Sequence, residues 1–292
     1  MKNWVFYSIY VPTFNYLEHS IEGIVIPTVE KVKSNFIIHQ WFFIRYVDMQ
    51  GPHIRLRFLV DEKDMKGLEE VMDEMIEKKL AALISKPPLP LSRLLRLPPQ
   101  EKEFEASFDQ EEYEPEYEKY GGIQGVEIAE QCFELSSELV INFTNSSNFT
   151  DKDRFDLSLL LMKITAKQAK LSKIEEHELW ERILSYWSGS TYNGDDRFKN
   201  NLIEAAKKRL DVLGRKLEAI SQKTSMLQLV NDYEIGLGNA FSNITKSEKV
   251  VVTKEHLAFH YIHMMNNRLG ITPIEEAYLG ALLLNGDKVS VQ

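Results

Sequence analysis

Hydrophobic positions along this chain follow two different periods. Residues 3–10 (NWVFYSIY) are aromatic and β-branched, which predicts a strand. Residues 13–34 carry Leu17, Ile21, Ile24, Val25, Val29 and Val32 at helical spacing, with a break expected at Pro27. Residues 36–46 (FIIHQWFFIRY) predict an aromatic strand, followed by a turn from Asp48 to Pro52. Residues 53–60 alternate: His53, Arg55 and Arg57 fall on one face, and Ile54, Leu56 and Phe58 on the other. These two strands predict a hairpin. Residues 62–84 return to helical spacing, with Met65, Leu68, Met72, Met75, Ile76 and Leu83 as the apolar stripe.

Residues 86–99 hold five prolines and predict an extended connector rather than a helix. Residues 101–118 follow with nine acidic side chains and one lysine, and are expected to form a solvated loop. From about residue 123 onward the pattern is helical. Helices are predicted over 124–143, 152–171, 175–187, 196–221, 225–242, 254–268 and 273–285, with breaks at Asn145–Asn148 and Ser188–Gly194. Gly270 ends one helix and Pro273 opens the next. No internal repeat is visible. The fold class expected is α+β, with a small mixed β-sheet and helices at the N-terminus and a mostly helical C-terminal half. Residues 1–292 are expected to make one unit, in three parts: 1–85, 86–122 and 123–292.

Composition narrows the function classes. The chain has 292 residues, of which 43% are hydrophobic and 27% charged, enough for a core without staples. Its net charge of −9 argues against direct, sequence-independent nucleic-acid binding. No apolar stretch is long enough to span a bilayer, and the N-terminus lacks a cleavage-site pattern. The single cysteine, Cys132, excludes an internal disulfide and suits a reducing, cytoplasmic setting. A small buried apolar residue is the expected role for Cys132.

Few motifs carry chemistry. The phosphate loop, the dinucleotide fingerprint, HExxH and GxSxG are all absent. His260 and His263 lie three apart with no evident third ligand, so neither a metal nor an organic cofactor is expected. Arg55 and Arg57 point the same way from one strand. Like charges that close are unfavourable unless an anion lies between them. Their planar forks suit a carboxylate ligand, or equally the acidic side chains of this acidic chain. His263 reads either as a satisfied core histidine or as an acid–base group titrating near neutrality.

The strongest signal is a resemblance. Trp41 to Tyr46, Asp48, and Gly51 to Arg57 resemble the WFFIRY-D-PHIRLR signature of the elimination domain of lantibiotic dehydratases and of stand-alone thiopeptide biosynthesis proteins. Tyr113-Glu114-Pro115-Glu116 with Lys119-Tyr120-Gly121-Gly122 is similar to that family's Y-x-x-E-x-x-RYGG element. Glu130 to Phe133 with Ser136-Ser137 resembles its AExxFxxDS stretch, and His263-Met264 with Asn267 to Gly270 its HMxxNRLxG element. The resemblance implies maturation of a ribosomally made peptide. Its two enzymatic forms are elimination of glutamate from glutamylated Ser or Thr, and [4+2] joining of two dehydroalanines into a pyridine with leader release. A third reading is a non-catalytic peptide-binding subunit. By motif, Arg57 and His263 are the implied catalytic residues, with Arg55, His53, Lys119 and Arg268 binding substrate. The implied partners are a precursor peptide with its leader, a glutamylating dehydratase subunit and a second copy of the chain. A sheet edge is expected to accept the leader as an added strand. Lys119 stands where the family has arginine, and Pro115 where some dehydratases place another. Lysine keeps charge but loses the fork, which favours the pyridine-forming reading, whereas intact Arg57 and His263 favour elimination.

Overall fold

The computed structural model describes residues 1–88, 90, 93, 102–150, 152–209 and 224–289. The expected α+β class is borne out. Four strands, β1 (Lys2–Tyr10), β2 (Gln40–Asp48), β3 (Gly51–Asp61) and β4 (Ser107–Glu111), form one sheet in the order β2-β3-β1-β4. All three pairings are antiparallel. The hairpin joining β2 to β3 closes at Met49-Gln50, where Asp48 Oδ1 accepts hydrogen bonds from the N–H groups of Gln50 (2.9 Å) and Gly51 (3.2 Å). β4 corrects the sequence reading. The acidic stretch is not wholly a loop, because residues 107–111 pair with β1. Phe108 supplies the apolar position beside Tyr7 while Asp109 and Glu111 alternate to the other face, so high charge concealed a short edge strand.

The segment before β2 is helical, as expected, and its irregularity lies just ahead of Pro27. Helix α1 (Phe14–Ser20) passes through a π-helical turn at Ile21–Val25 into α2 (Ile26–Asn35). Pro27 occupies the first turn of α2, where a missing N–H does least harm. Helix α3 (Met65–Ile84) buries Leu68, Met72, Ile76 and Leu80. It covers the sheet face bearing Val5, Tyr7 and Ile9, and the Tyr7 hydroxyl donates to Asp73 Oδ1 at 2.7 Å.

The helical part begins with a turn, α4 (Tyr117–Tyr120), and then α5 (Ile123–Asn145). Helices α6 (Asp153–Gln168), α7 (Lys173–Trp187), α8 (Ser190–Asn193), α9 (Arg197–Lys207), α10 (Thr224–Lys246), α11 (Lys254–Leu269) and α12 (Pro273–Val289) follow. The short α8 occupies the break expected at Ser188–Gly194. Most of the Pro-rich connector and the later half of the helix expected over 196–221 lie outside the described residues. Gly270, with φ +77°, ends α11, and Thr272 with Glu275 forms a reciprocal cap on α12.

The free edge of β2 is where the two parts meet. Phe43 N–H donates to Ser137 Oγ (3.3 Å), and Arg45 N–H to Asn267 Oδ1 (2.8 Å). Asn267 Nδ2 returns a bond to the Arg45 carbonyl (2.7 Å). Side chains of α5 and α11 thus act as a surrogate strand, which satisfies the edge and fixes α11 against the sheet.

Candidate active site

The second sheet face carries the chemistry. By register, Phe42, Ile44 and Tyr46 of β2 lie beside Arg57, Arg55 and His53 of β3, and these beside Phe6, Ser8 and Tyr10 of β1. Strand alternation therefore places the three polar residues of the HIRLR run on one side, as the sequence indicates. Their environments differ sharply. His53 and Arg55 form a cluster at the hairpin end. Arg55 Nε donates to His53 Nε2 (3.1 Å), so the imidazole proton sits on Nδ1, which donates to the Gly51 carbonyl (3.1 Å). Burial pushes the His53 pKa down. The Arg55 guanidinium lies 3.7 Å from the centre of the Tyr46 ring.

Arg57 stands apart, 5% exposed, in a cage of aromatic rings. Its guanidinium lies 4.0 Å from Phe6, 5.0 Å from Tyr113 and 5.3 Å from Phe42, measured to ring centres. Burial lowers its pKa to about 10. Phe42 is shared with a second guanidinium, that of Arg268 from the last turn of α11, at 5.9 Å. Arg268 is fully buried, donates to Ser137 Oγ (3.1 Å) and the Met264 carbonyl (2.7 Å), and leaves Nη2 unpartnered. Burial, with a smaller contribution from Arg57, lowers its pKa to about 9. Among the described residues neither guanidinium forms an ion pair with a carboxylate. Two mutually repelling buried cations held by rings and hydroxyls are a costly arrangement that a nearby anion would relieve.

The Tyr120 ring borders this site, edge-on to Phe133 (5.4 Å) and to His260 (6.1 Å). Its hydroxyl is buried without a hydrogen-bond partner, and burial raises its pKa, so it stays protonated. Gly121 and Gly122, both at positive φ, turn the chain sharply after Tyr120. Lys119 Nζ lies 3.0 Å from Glu116 Oε2 and 5.3 Å from the centre of the Tyr120 ring. The Tyr113 ring walls one side of Arg57, and burial raises the pKa of Glu130 on α5.

His263 occupies a neighbouring position on α11. Its Nδ1 lies 3.1 Å from Glu276 Oε2, and its ring is 4.4 Å from that of Trp187. Trp187 Nε1 donates to the other oxygen of Glu276 at 3.0 Å. Glu276, in the first turn of α12, is fully buried. An ionised carboxylate only accepts, so Nδ1 carries the proton and Nε2 is left as the basic nitrogen. A buried carboxylate thus fixes the orientation of the His263 ring. His260, one turn earlier, has its pKa pushed down to about 3, chiefly by burial and then by Lys119, and stays neutral.

The fold thus brings Arg57 and Arg268 together, groups Arg55 with His53, and leaves Lys119 at the rim. Arg57 and His263 share no direct partner. A bridge of Arg268, Tyr120 and His260 runs between them, linked by ring contacts and charge. Nothing in residue spacing singles out Tyr113, Glu130, Trp187 or Glu276. Only the family motif touches Tyr113 and Glu130.

The model for the lantibiotic biosynthesis dehydratase C-terminal family matches residues 4–285. The chain belongs to this family. Membership places it in the maturation of ribosomally made peptides. No curated protein is a significant sequence match. Among solved structures, the tRNA-dependent lantibiotic dehydratase MibB from Microbispora sp. 107891 superposes with TM-score 0.62 at 16% identity over 99% of this chain. This chain spans only 28% of the length of MibB. TsrL gives TM-score 0.68 at 13% identity, covering 100% of this chain and 96% of TsrL. TbtD, the pyridine synthase from thiomuracin biosynthesis, gives 0.62 at 14% identity, covering 99% of this chain and 98% of TbtD. These likenesses establish a shared fold. No helix among the described residues is long and apolar enough to cross a membrane.

Proposed function

We propose that this chain eliminates glutamate from glutamylated serine and threonine of a precursor peptide, leaving dehydroamino acids. The observation that carries this reading is the pair of buried guanidiniums, Arg57 and Arg268, without a carboxylate partner among the described residues. A glutamyl ester brings the carboxylate such a pair lacks. The chemistry then needs a base for the Cα proton and a hydrogen-bond donor for the enolate that develops. His263, oriented by Glu276, takes the proton at Nε2. Arg57 holds the substrate carboxylate, and Arg268 with the Tyr120 hydroxyl supplies donors beside it. His53, Arg55 and Lys119 line the approach as substrate-binding groups. The substrate bridges the Arg57 and His263 ends of the site.

A glutamylating dehydratase is the partner this reading calls for, because elimination needs a peptide that already carries glutamyl esters. The chain acts as one unit: its three sequence parts share a single buried apolar core, which supports that assignment. The leader adds as a strand at β4, since Ser137 and Asn267 already occupy the β2 edge.

One observation favours the pyridine-forming alternative on the same scaffold. Lys119 replaces the family arginine, and its charge is taken up by Glu116. Release of free glutamate from a glutamylated peptide separates the two readings. Under the elimination reading Arg57→Lys loses roughly tenfold in that release, because lysine cannot form two parallel bonds to a carboxylate. A variant with the wild-type rate would remove Arg57 from the reaction.

A further inference from the structure

The hydrogen bond of the His263–Glu276 dyad crosses between two helices, α11 and α12. Its geometry therefore depends on how the turn at residues 270–272 sets one helix against the other. A residue from a distant part of the chain grips that turn. Arg93 belongs to the Pro-rich stretch between α3 and β4. Its Nη1 donates to the Gly270 carbonyl (2.9 Å) and lies 3.5 Å from Glu275 Oε2. Its Nη2 donates to Glu18 Oε1 of α1 at 3.0 Å.

Each of these partners is itself fixed. The Glu275 side chain is fully buried, and its Oε2 accepts from the Thr272 N–H and hydroxyl, both at 3.0 Å, closing the cap of α12. Glu18 Oε2 lies 3.3 Å from Arg45 Nη2 and 3.8 Å from Arg154 Nη1. Arg45 donates in turn to the carbonyls of Asn267 and Arg268, in the last turn of α11. A Cβ at Gly270 would collide with Glu18 Oε2, so the turn is pressed onto this charged knot. Buried ion pairs often add little net stability over apolar packing of the same volume. What the knot supplies is a fixed arrangement of α1, α11 and α12. Glu276 follows Glu275 directly in the first turn of α12, so whatever holds one carboxylate holds the other.

We propose that Arg93 is a positioning residue for the reaction. By tying the first turn of α12 to α1 and to the end of α11, it keeps Glu276 where it orients the His263 ring. The effect on turnover rests on the elimination reading above, whereas the effect on Glu276 is structural and can be read without turnover. A displacement of about 1 Å, imposed far from the chemistry, can cost on the order of a hundredfold in rate. Loosening the turn while Trp187 still holds Glu276 should cost less, about tenfold.

The test uses the full-length chain, a synthetic peptide carrying O-glutamylated serine, and the indole N–H signals of the ¹⁵N-labelled protein. Trp187 Nε1 donates to Glu276, so its signal reports where that carboxylate sits. The Trp41 indole, bonded to Glu138 on α5, is the internal control. Arg93→Gln is expected to lower kcat about tenfold with KM within about twofold of wild type. The Trp187 signal should move and the Trp41 signal stay. In a His263→Ala background the same substitution should cost less than about twofold more, because the group it positions is gone. A residue that only supports the fold would cost the same factor in both backgrounds. Arg93→Lys keeps the charge but loses the two-sided grip, so its kcat should fall between wild type and Arg93→Gln. Arg93→Gln at the wild-type kcat, equal losses in both backgrounds, or an unmoved Trp187 signal would each overturn the proposal. If Arg93→Gln fails to fold, Arg93→Lys decides, and a wild-type kcat with an unmoved Trp187 signal overturns it. If the wild-type protein releases no glutamate, the elimination reading fails alone. The Trp187 signal of Arg93→Gln then decides the positioning claim: movement supports it and an unmoved signal overturns it.

Discussion

Replacing His263 with alanine is expected to lower turnover by about a thousandfold while leaving the fold intact. The loss of a positioned acid–base group is typically worth 10²–10⁴ in rate. The middle of that range applies because the dyad is well ordered: Glu276 is fully buried and both of its oxygens are engaged, by His263 and by Trp187. Stability should change little, since the His263 side chain is 24% exposed and its main polar partner retains the Trp187 bond. A Glu276→Gln variant should fall between the two. Glutamine keeps a hydrogen-bond acceptor for Nδ1–H but no longer stabilises the imidazolium. Steady-state kinetics on a glutamylated peptide, with a thermal melt of each variant, checks this. A His263→Ala protein at the wild-type rate would leave the dyad as two polar residues satisfying each other.

The second large effect concerns folding. Gly125 lies in the first turn of α5, and a Cβ there would meet the Tyr120 carbonyl oxygen at 1.7 Å. Backbone cannot yield as a flexible side chain does, so Gly125→Ala must push α4 and α5 apart. Overpacking of this kind costs roughly 3 kcal/mol, which lowers the melting temperature by about 5 °C at this size. Tyr120 would move with the displaced turn, so turnover should fall as well. Differential scanning calorimetry reads the first effect directly. An unchanged melting temperature would mean that the YGG turn is not packed against α5 as described. Gly67→Ala is the control, since its backbone is not left-handed and a Cβ there would meet only the Phe36 ring, at an ordinary contact distance of 3.4 Å.

Much of the sheet was legible because strand alternation is a local property. The HIRLR run sorts His53, Arg55 and Arg57 to one face by parity alone, and the structure keeps them there. The helices were legible through their apolar stripes and through Gly270 and Pro273 at their ends. β4 was not, because its pairing depends on β1, a hundred residues away, while its own composition is that of a solvated loop. The candidate site divides in the same way. Motifs draw attention to Arg57, Arg268 and His263, but not to what surrounds each one. Glu276 reads from sequence as an ordinary acidic residue in a first helical turn, a place where any carboxylate is favourable. Only the packing of α7, α11 and α12 buries it against His263. Likewise, Tyr113 meets Arg57 only because β4 returns the chain to the sheet. His260 and His263 look alike as sequence. One is pushed to about pKa 3 by burial and the nearby Lys119, and the other is oriented by a carboxylate.

The central claim is that the chain removes glutamate from a glutamylated peptide. Mass spectrometry of such a peptide after incubation with the full-length protein tests it most directly. The account predicts the loss of one glutamic acid per modified serine or threonine, with the leader still attached. Loss of water with release of the leader from a dehydrated peptide, or a peptide of unchanged mass, would contradict it.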